Sequence, residues 1–238
     1  MPNPYNLDLQ HSCITCTFAK AGRVCDLSKE TIGALETMKF MGAYPKGATL
    51  FVEGENPRGV FILCSGGAKL TTSSSEGKTL IMKIAEPGEI FGVSAVILDK
   101  PYEVSAETTQ PSQVNFVNRD DFLRLLALHP DTAMRTAQQL AASYHAAQHE
   151  IRSLGLSQTN SERLAKLLLD WCEDGEETAN GTRIKVLLTH EEIAQMIGTT
   201  RETVTRLLGD FKRRHIIDVK GSTFFIPRIS GLHRLVTI

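Results

Sequence analysis

The sequence lacks the features that would mark a membrane protein, a secreted protein or an enzyme. None of its apolar runs approaches the roughly 18 to 20 residues that cross a bilayer. Its polar start, MPNPYNLDLQ, lacks the basic segment and apolar core of a signal peptide. It also lacks a nucleophile motif, a phosphate-binding glycine loop and a paired metal-ligand signature. We therefore expect a cytoplasmic protein without a membrane partner that is not an enzyme.

Cysteine is scarce and unevenly placed. Of five cysteines, Cys13, Cys16 and Cys25 crowd the N-terminus, whereas Cys64 and Cys172 follow far apart. Structural disulfides are rare in a reducing compartment, so these thiols are candidates for metal binding or redox chemistry. Cys172 is the exception, because it lies on an apolar predicted helix and is expected in the core.

Acidic residues are few in the last quarter of the chain. Residues 183–238 hold ten Lys and Arg against five Asp and Glu, a net charge of +5, which leaves −6 for residues 1–182. A basic surface attracts phosphates, so we expect a polyanion to bind this C-terminal part.

Two patterns precede the basic part. From Tyr44 to about Phe116, glycines at intervals of about ten separate short β-branched segments, which predicts a compact antiparallel β-roll. Beyond Pro130, a long segment without glycine or proline predicts a helix whose apolar stripe pairs with a second copy as a coiled coil. The alternative is a single helix packed on its own roll. The stripe comprises Ala133, Ala137, Leu140, Tyr144, Ala147, Ile151 and Leu154.

The basic part predicts two short helices joined by a tight turn. Thr189 with Glu192, and Thr199 with Glu202, have the spacing of capping boxes that start helices. Gly198 between them supplies the turn of a helix-turn-helix. The positions expected to face the core are Ile193, Ala194, Ile197, Val204, Leu207, Leu208 and Phe211.

The other face of the second helix carries the chemistry of base recognition. Arginine can donate two hydrogen bonds to guanine, glutamate can accept one from cytosine, and threonine can contact a thymine methyl. The alternative is an ordinary surface on which Glu202 and Arg206 form an i,i+4 pair. We expect contacts to DNA from Arg201, Glu202, Thr205 and Arg206, with Thr200 at the start of the helix.

A basic run and two short apolar strands around Gly221 predict a winged hairpin behind this helix. Lys212, Arg213, Arg214 and Lys220 are candidates for phosphate contacts, which raise affinity and its salt dependence but read no sequence. The alternative is that some of them are ordinary surface charges.

In this order, the roll, the dimer helix and the winged helix-turn-helix resemble the CRP/FNR family of bacterial transcription regulators over most of residues 40–228. The most specific match is THEEIAQMIGTTRETVTRLL (189–208), and EPGEIFG (86–92) is a softer one. The resemblance implies a homodimer that binds double-stranded DNA at a palindromic site and contacts RNA polymerase.

The resemblance also implies which bases are read. Arg201, Glu202 and Arg206 match the three base-contacting positions of the cyclic-AMP branch, which implies a TGTGA-like half-site. The FNR branch lacks the first arginine, so an FNR-type half-site is the less favoured alternative.

The roll departs from the cyclic-AMP branch, which holds its nucleotide through a glycine-glutamate pair and a following arginine-serine pair. The corresponding stretches here read Gly92-Val93-Ser94 and Glu103-Val104-Ser105. Without the arginine, a buried phosphate would be left unpaired at a large cost. Cyclic AMP is therefore not expected as the effector.

The N-terminal cysteines instead resemble the start of FNR-type oxygen sensors, which bind an iron–sulfur cluster, usually through four thiolates. The position that matches the roll ligand of those sensors carries Asn115, and Cys64 lies on a different predicted strand. The ligands implied are Cys13, Cys16, Cys25 and Cys64. The alternatives are a thiol redox switch, a zinc site formed by Cys13, Cys16 and Cys25 with His11, and inert cysteines.

The predicted fold is α+β, with a cyclic-nucleotide-binding-like β-roll, a long dimerisation helix and a C-terminal winged helix-turn-helix. The predicted parts are a cysteine-containing segment (1–40), the roll (41–128), the dimerisation helix (129–156) and the DNA-binding domain (157–238). The predicted function is a sequence-specific transcription regulator, with redox control through the cysteines as one option and regulation without an effector as another. The rivals are a ligand- or metal-binding protein whose C-terminal domain only contacts proteins, and an enzyme that uses the roll as its pocket.

Overall fold

A long helix contains the boundary between the two units of the chain, Met1–His145 and Ala146–Ile238. The structure is a computed structural model that describes residues 4–16, 25–156 and 159–236. Within the long helix, the side chains of residues 149, 150 and 153–156 lie outside that description. None of the helices among the described residues is long and apolar enough to cross a membrane.

The first unit is built around eight short strands. It begins with a 3-10 turn at Pro4–Asn6 and helix α1 at Lys29–Met38. The strands are β1 (Lys39–Tyr44), β2 (Thr49–Phe51), β3 (Gly59–Ser65), β4 (Ala68–Ser73), β5 (Thr79–Ala85), β6 (Ile90–Phe91), β7 (Ser105–Thr108) and β8 (Ser112–Asn118). The other helices are α2 (Val93–Leu98), α3 (Arg119–Leu128) and the long α4 (Pro130–Leu156), which continues into the second unit.

Two antiparallel sheets form the roll, in the strand orders β1-β8-β3-β6 and β2-β7-β4-β5. Successive side chains of a strand point to opposite faces, and β3 uses both faces for packing. Phe61 and Leu63 belong to a core shared by both sheets, while Val60 and Ile62 belong to a second core with residues of α1, α2 and α3. The predicted β-roll is confirmed.

The second unit is a winged helix-turn-helix, as predicted. Its elements are α5 (Asn160–Glu173), β9 (Glu176–Thr178), β10 (Gly181–Lys185), α6 (His190–Met196), α7 (Arg201–Arg213), β11 (Asp218–Lys220), β12 (Thr223–Ile226) and α8 (Ile229–His233). The strands form one antiparallel sheet in the order β11-β12-β10-β9. All seven core positions predicted for α6, the turn and α7 are buried in one cluster with residues of α5 and the sheet.

The start of α7 differs from the prediction by one residue. Thr200, not Thr199, is the N-cap, because its Oγ1 accepts a hydrogen bond from the amide of Thr203 (3.3 Å). Thr199 Oγ1 instead accepts one from Asn160 Nδ2 (2.9 Å). The predicted capping box of Thr199 with Glu202 is therefore wrong, because the Thr199 hydroxyl accepts a hydrogen bond from α5 instead.

Candidate DNA interface and cysteine site

Helices α6 and α7 are held in the helix-turn-helix arrangement by local hydrogen bonds. The predicted capping box at the start of α6 is present, with the Thr189 amide donating to Glu192 Oε2 (2.8 Å). Gly198 has φ of 64°, the left-handed conformation that glycine adopts without steric cost. This turn lets the amide of Thr199 return to the carbonyl of Ala194 (2.9 Å), so that α7 begins beside α6.

The base-reading candidates lie on one exposed face of α7. Glu202 and Arg206 are not joined by an ion pair in the part of the chain that the structure describes. The pKa of the Glu202 carboxyl is instead lowered, chiefly by its own backbone amide and then by the Thr200 hydroxyl. The charge of Arg201 also lowers this pKa, while Arg206 is exposed without an ion pair to Glu202. The exposed candidates are Thr200, Arg201, Glu202, Thr205 and Arg206.

A contact that the sequence did not indicate joins the two helices on this face. His190 Nδ1 lies 2.8 Å from Thr205 Oγ1. The same hydroxyl donates a hydrogen bond to the carbonyl of Arg201 (2.9 Å). His190 is half-buried in the first turn of α6, and Thr205 is exposed in the middle of the α7 face. Only the packing of α6 on α7 could have revealed a pair fifteen residues apart.

Most of the predicted phosphate contacts already have acidic partners. Lys212 pairs with Asp218 (3.3 Å), and this lysine lowers the pKa of the Asp218 carboxyl. Arg213 and Arg214 both pair with Asp210 (3.3 and 3.4 Å). These cations are exposed, and exposed pairs contribute little to stability. They can therefore exchange their carboxylate partners for phosphates.

Lys220 lies at the tip of the wing, where the β11–β12 hairpin turns through Gly221, and its side chain is exposed. We expect Lys220→Ala to lower affinity equally for all DNA sequences and to reduce the slope of log K against log salt by about 0.9 for each phosphate that the variant no longer neutralises. Titrations at several salt concentrations measure this slope. Lys78→Ala, which removes an exposed lysine from the roll, is the matched control, and an equal change in that variant would contradict the assignment.

Four cysteines lie near one another on the face of the roll that α1 and α3 cover. A turn joins Cys13 and Cys16, whose amide donates to the Cys13 carbonyl (3.4 Å). Cys25 packs against the core that contains Ile62. Burial raises the pKa of Cys25 and of Cys64 to about 12, and each pKa is raised further by the charges of the neighbouring cysteines. Cys25 and Cys64 are therefore each close enough to Cys13 and Cys16 to be affected by their charge.

Pairing of strands explains why Cys64 belongs to this group. The sequence placed Cys64 and Asn115 on different strands, and β3 and β8 prove to be neighbours, with Ile62 opposite Asn115. Asn115 Nδ2 in turn contacts Cys13 Sγ (3.7 Å), and its Oδ1 is buried without a hydrogen bond partner. Cys64 thus lies beside Asn115, the position that matches the fourth cluster ligand of FNR-type sensors.

The turn that carries Cys13 is fastened to α1. The amide of Cys13 donates to Glu36 Oε2 (2.7 Å). Lys39 Nζ pairs with the same carboxylate (3.1 Å) and donates to the carbonyl of His11 (2.9 Å). Among the described residues, no group of three or more His, Cys, Asp or Glu is arranged to hold a single metal ion. In this part of the chain, neither the predicted zinc site with His11 nor the predicted iron–sulfur site is preassembled.

The residues after Cys25 are tied to the start of α4. Asp26 forms an ion pair with Arg135, whose Nε also donates to the Asp26 carbonyl (3.1 Å). The amide of Ser28 donates to Asp131 Oδ2 (2.9 Å), and this hydrogen bond is the main reason why the pKa of Asp131 is lowered to about 2. The cysteine site is thus connected to the predicted dimerisation helix through the contacts of Asp26 with Arg135 and of Ser28 with Asp131, all within the first unit.

Helix α4 leaves much of its predicted stripe exposed. On one side it contacts the roll, since Gln139 Nε2 donates to the Ile90 carbonyl (2.7 Å). On the other side, Leu140, Tyr144 and Ile151 are 36%, 67% and 70% exposed. Leu154, the last predicted stripe residue, lies outside the described side chains. The roll therefore does not bury Leu140 or Tyr144, which belong to the same unit.

The roll positions that differ from the cyclic-AMP branch are apolar. Val93 is buried, and Val104 packs against the core shared by the two sheets. Ser105 Oγ accepts a hydrogen bond from the amide of Glu53 (2.9 Å). Neither valine can supply a cation or a hydrogen bond to a nucleotide.

Comparison with known proteins assigns a family to each unit. The cyclic nucleotide-binding domain family matches residues 42–129, and the Crp-like helix-turn-helix domain family matches residues 162–235. The chain is 28% identical over 217 residues to the CRP-like cAMP-activated global transcriptional regulator of Mycobacterium tuberculosis, covering 91% of this chain and 96% of the relative. It is 30% identical over 191 residues to the global nitrogen regulator of Synechococcus elongatus, covering 77% and 85%.

Solved structures have the same fold. FixK2 from Bradyrhizobium japonicum aligns with a TM-score of 0.73 at 21% identity, covering 84% of this chain and 98% of that chain. A CooA mutant from Carboxydothermus hydrogenoformans aligns with a TM-score of 0.75 at 24% identity, covering 84% and 89%. With both units matched and a relative that is 30% identical over 77% of this chain, this chain belongs to the CRP/FNR family of transcription regulators.

Proposed function

We propose that this regulator is a homodimer that reads a palindromic, TGTGA-like DNA site through Arg201, Glu202 and Arg206. The observation that carries the proposal is the division of α7 into a buried apolar face and an exposed face with these three side chains. Two arginines and a glutamate match the donors and acceptors that guanine and cytosine present in the major groove. Contact of the DNA-bound dimer with RNA polymerase is the further step that the family implies.

The exposed stripe of α4 supports the dimer. A chain that leaves large apolar side chains at heptad spacing in water gains free energy by pairing them with a second copy. Two-fold pairing also suits a palindrome, because helix-turn-helix dimers read half-sites about 34 Å apart, one turn of DNA.

Selection of binding sites from random duplex DNA tests this proposal. We expect the full-length chain to enrich an inverted repeat with TGTGA-like halves, and to bind it with a salt-dependent affinity. Enrichment of an FNR-type half-site would correct the base assignment alone. Failure to enrich any sequence, or an affinity for DNA that does not depend on salt concentration, would favour the alternative in which the C-terminal domain only contacts proteins.

We also propose that Cys13, Cys16, Cys25 and Cys64 hold an iron–sulfur cluster that places the regulator under redox control. Four soft thiol ligands from three separate segments have the chemistry that such a cluster requires. Binding would have to draw them closer together, because the described residues contain no ready metal site. Cys25 and Cys64 are neutral thiols at pH 7 because burial raises their pKa, so a bound metal would be needed to stabilise their thiolates. When bound, the cluster would supply an oxidation-sensitive centre. The contacts of Asp26 with Arg135 and of Ser28 with Asp131 would then connect its state to α4.

Anaerobic purification tests the cysteine site. We expect a coloured protein with about four iron and four sulfide per chain or a two-iron equivalent. Cys16→Ser and Cys64→Ser should lose the colour and the iron. Cys172→Ser is the control, because Cys172 packs against the core of the second unit, and it should keep both. Zinc in place of iron would support the zinc alternative, and a colourless, metal-free protein would eliminate the cluster.

We propose, finally, that cyclic AMP does not control this chain. Burying a phosphate beside Val104, without an arginine, would leave its charge unpaired. Calorimetric titration of the full-length protein with cyclic AMP should show no saturable binding. Saturable binding at micromolar concentrations that tightened operator binding would contradict this proposal.

A further inference from the structure

The direction of the hydrogen bond between His190 and Thr205 depends on the histidine tautomer, and one direction preserves both contacts of the threonine. A threonine hydroxyl carries a single hydrogen, and Thr205 gives that hydrogen to the carbonyl of Arg201 (2.9 Å). In the tautomer with a hydrogen on Nδ1, the imidazole donates at the 2.8 Å contact and Thr205 Oγ1 accepts, so that both contacts of the threonine are hydrogen bonds. The first turn of α6 thus fixes a side chain in the middle of the exposed face of α7.

This arrangement restricts what Thr205 can offer to a base. Its only hydrogen is committed to the protein, so it cannot donate a hydrogen bond in the major groove. Its oxygen already accepts one bond from His190. The Thr205 methyl group, in contrast, makes no hydrogen bond and can contact a base. Thymine is the base that displays a methyl group in the major groove.

We propose that His190 is a positioning residue for base recognition, which holds Thr205 so that its methyl group selects the C5 methyl of a thymine in each half-site. The proposal rests on the proposed function, because it requires α7 to enter the major groove. It adds a second kind of recognition to the polar contacts of Arg201 and Arg206, an apolar one that depends on α6.

Replacement of thymine by deoxyuridine tests the proposal, because it removes the C5 methyl and leaves base pairing unchanged. The selected operator is synthesised with each thymine of a half-site replaced in turn, and affinity for the full-length chain is measured. We expect one position to lose about fourfold in affinity, the value for one buried methyl group. Thr205→Ser, which keeps the hydroxyl and removes the methyl, should bind thymine and uracil equally there.

Two variants at His190 separate positioning from simple packing. The side-chain nitrogen of asparagine can take the place of Nδ1, so His190→Asn should keep the uracil penalty. His190→Phe keeps a ring without a donor, and it should lose most of the penalty. His233→Phe, at an exposed histidine on α8, is the control and should behave as the parent chain. Thermal unfolding checks that each variant is folded.

The outcomes distinguish this inference from the function on which it rests. A uracil penalty that His190→Phe leaves intact would overturn the role of His190. The absence of a penalty at every thymine, with Arg206 still required for discrimination, would overturn methyl recognition and leave the regulator intact. A chain that selects no DNA sequence at all would overturn the proposed function and this inference together.

Discussion

Arg206→Ala is expected to weaken binding to the selected operator by about 1 to 3 kcal/mol, the range for one bidentate contact between arginine and guanine. Arg206 is exposed on α7 and forms no ion pair with Glu202 in the described part of the chain. Its removal should therefore cost the second unit little stability. The loss should be confined to the operator, and binding to unrelated DNA should change much less.

Competition titrations measure this as the ratio of operator affinity to nonspecific affinity. Arg213→Ala is the matched control, because Arg213 is another exposed arginine of α7 but pairs with Asp210 near the end of the helix. It should lower both affinities and leave their ratio unchanged. An operator ratio that survives Arg206→Ala would remove this arginine from the set that reads bases.

The parts of the fold that the sequence predicted are those set by local patterns. Alternation and regularly spaced glycines mark the roll, because strand period and turns are properties of neighbouring residues. The faces of α6 and α7 follow from helical periodicity, and the burial of Val204 and Phe211 confirms them. The basic end of the chain likewise follows from composition alone.

The parts that the sequence did not predict depend on contacts between distant residues. Thr199 has the local spacing of a cap, but its contact with Asn160 of α5 leaves Thr200 to cap α7. The neighbourhood of Cys64 and Asn115 depends on which strands pair. Cys64 has the same parity as Ile62 along β3, but the register shifts between Leu63 and Ser65, so alternation alone does not place the thiol.

The sequence did not predict the long-range polar contacts either. The ion pair of Asp26 with Arg135 joins residues more than a hundred positions apart, and no periodicity indicates it. This pair matters for regulation, because it connects the residue after Cys25 to the helix proposed to form the dimer. A change at the cysteine site can therefore bias α4 only if such contacts differ between two states of the chain.

The dimer interface gives the largest expected effect. Ile151→Glu should raise the dimer dissociation constant at least about 100-fold, because two carboxylates would be buried without partners at a cost of about 3 kcal/mol or more. Ile151 is 70% exposed in the single chain, so the substitution should cost the protomer little stability. Analytical ultracentrifugation measures the dissociation constant, and operator binding should fall with it because each monomer then reads only one half-site.

Ala142→Glu separates a specific interface from a general effect of charge on α4. Ala142 is exposed and lies nine residues before Ile151, two and a half turns away and thus on the opposite side of the helix. It should leave the dissociation constant and operator affinity near those of the parent chain. If both substitutions weakened the dimer equally, or if Ile151→Glu left it unchanged, the stripe from Leu140 to Ile151 would not be the surface that pairs. A different interface would then have to bring the two recognition helices to the same DNA duplex.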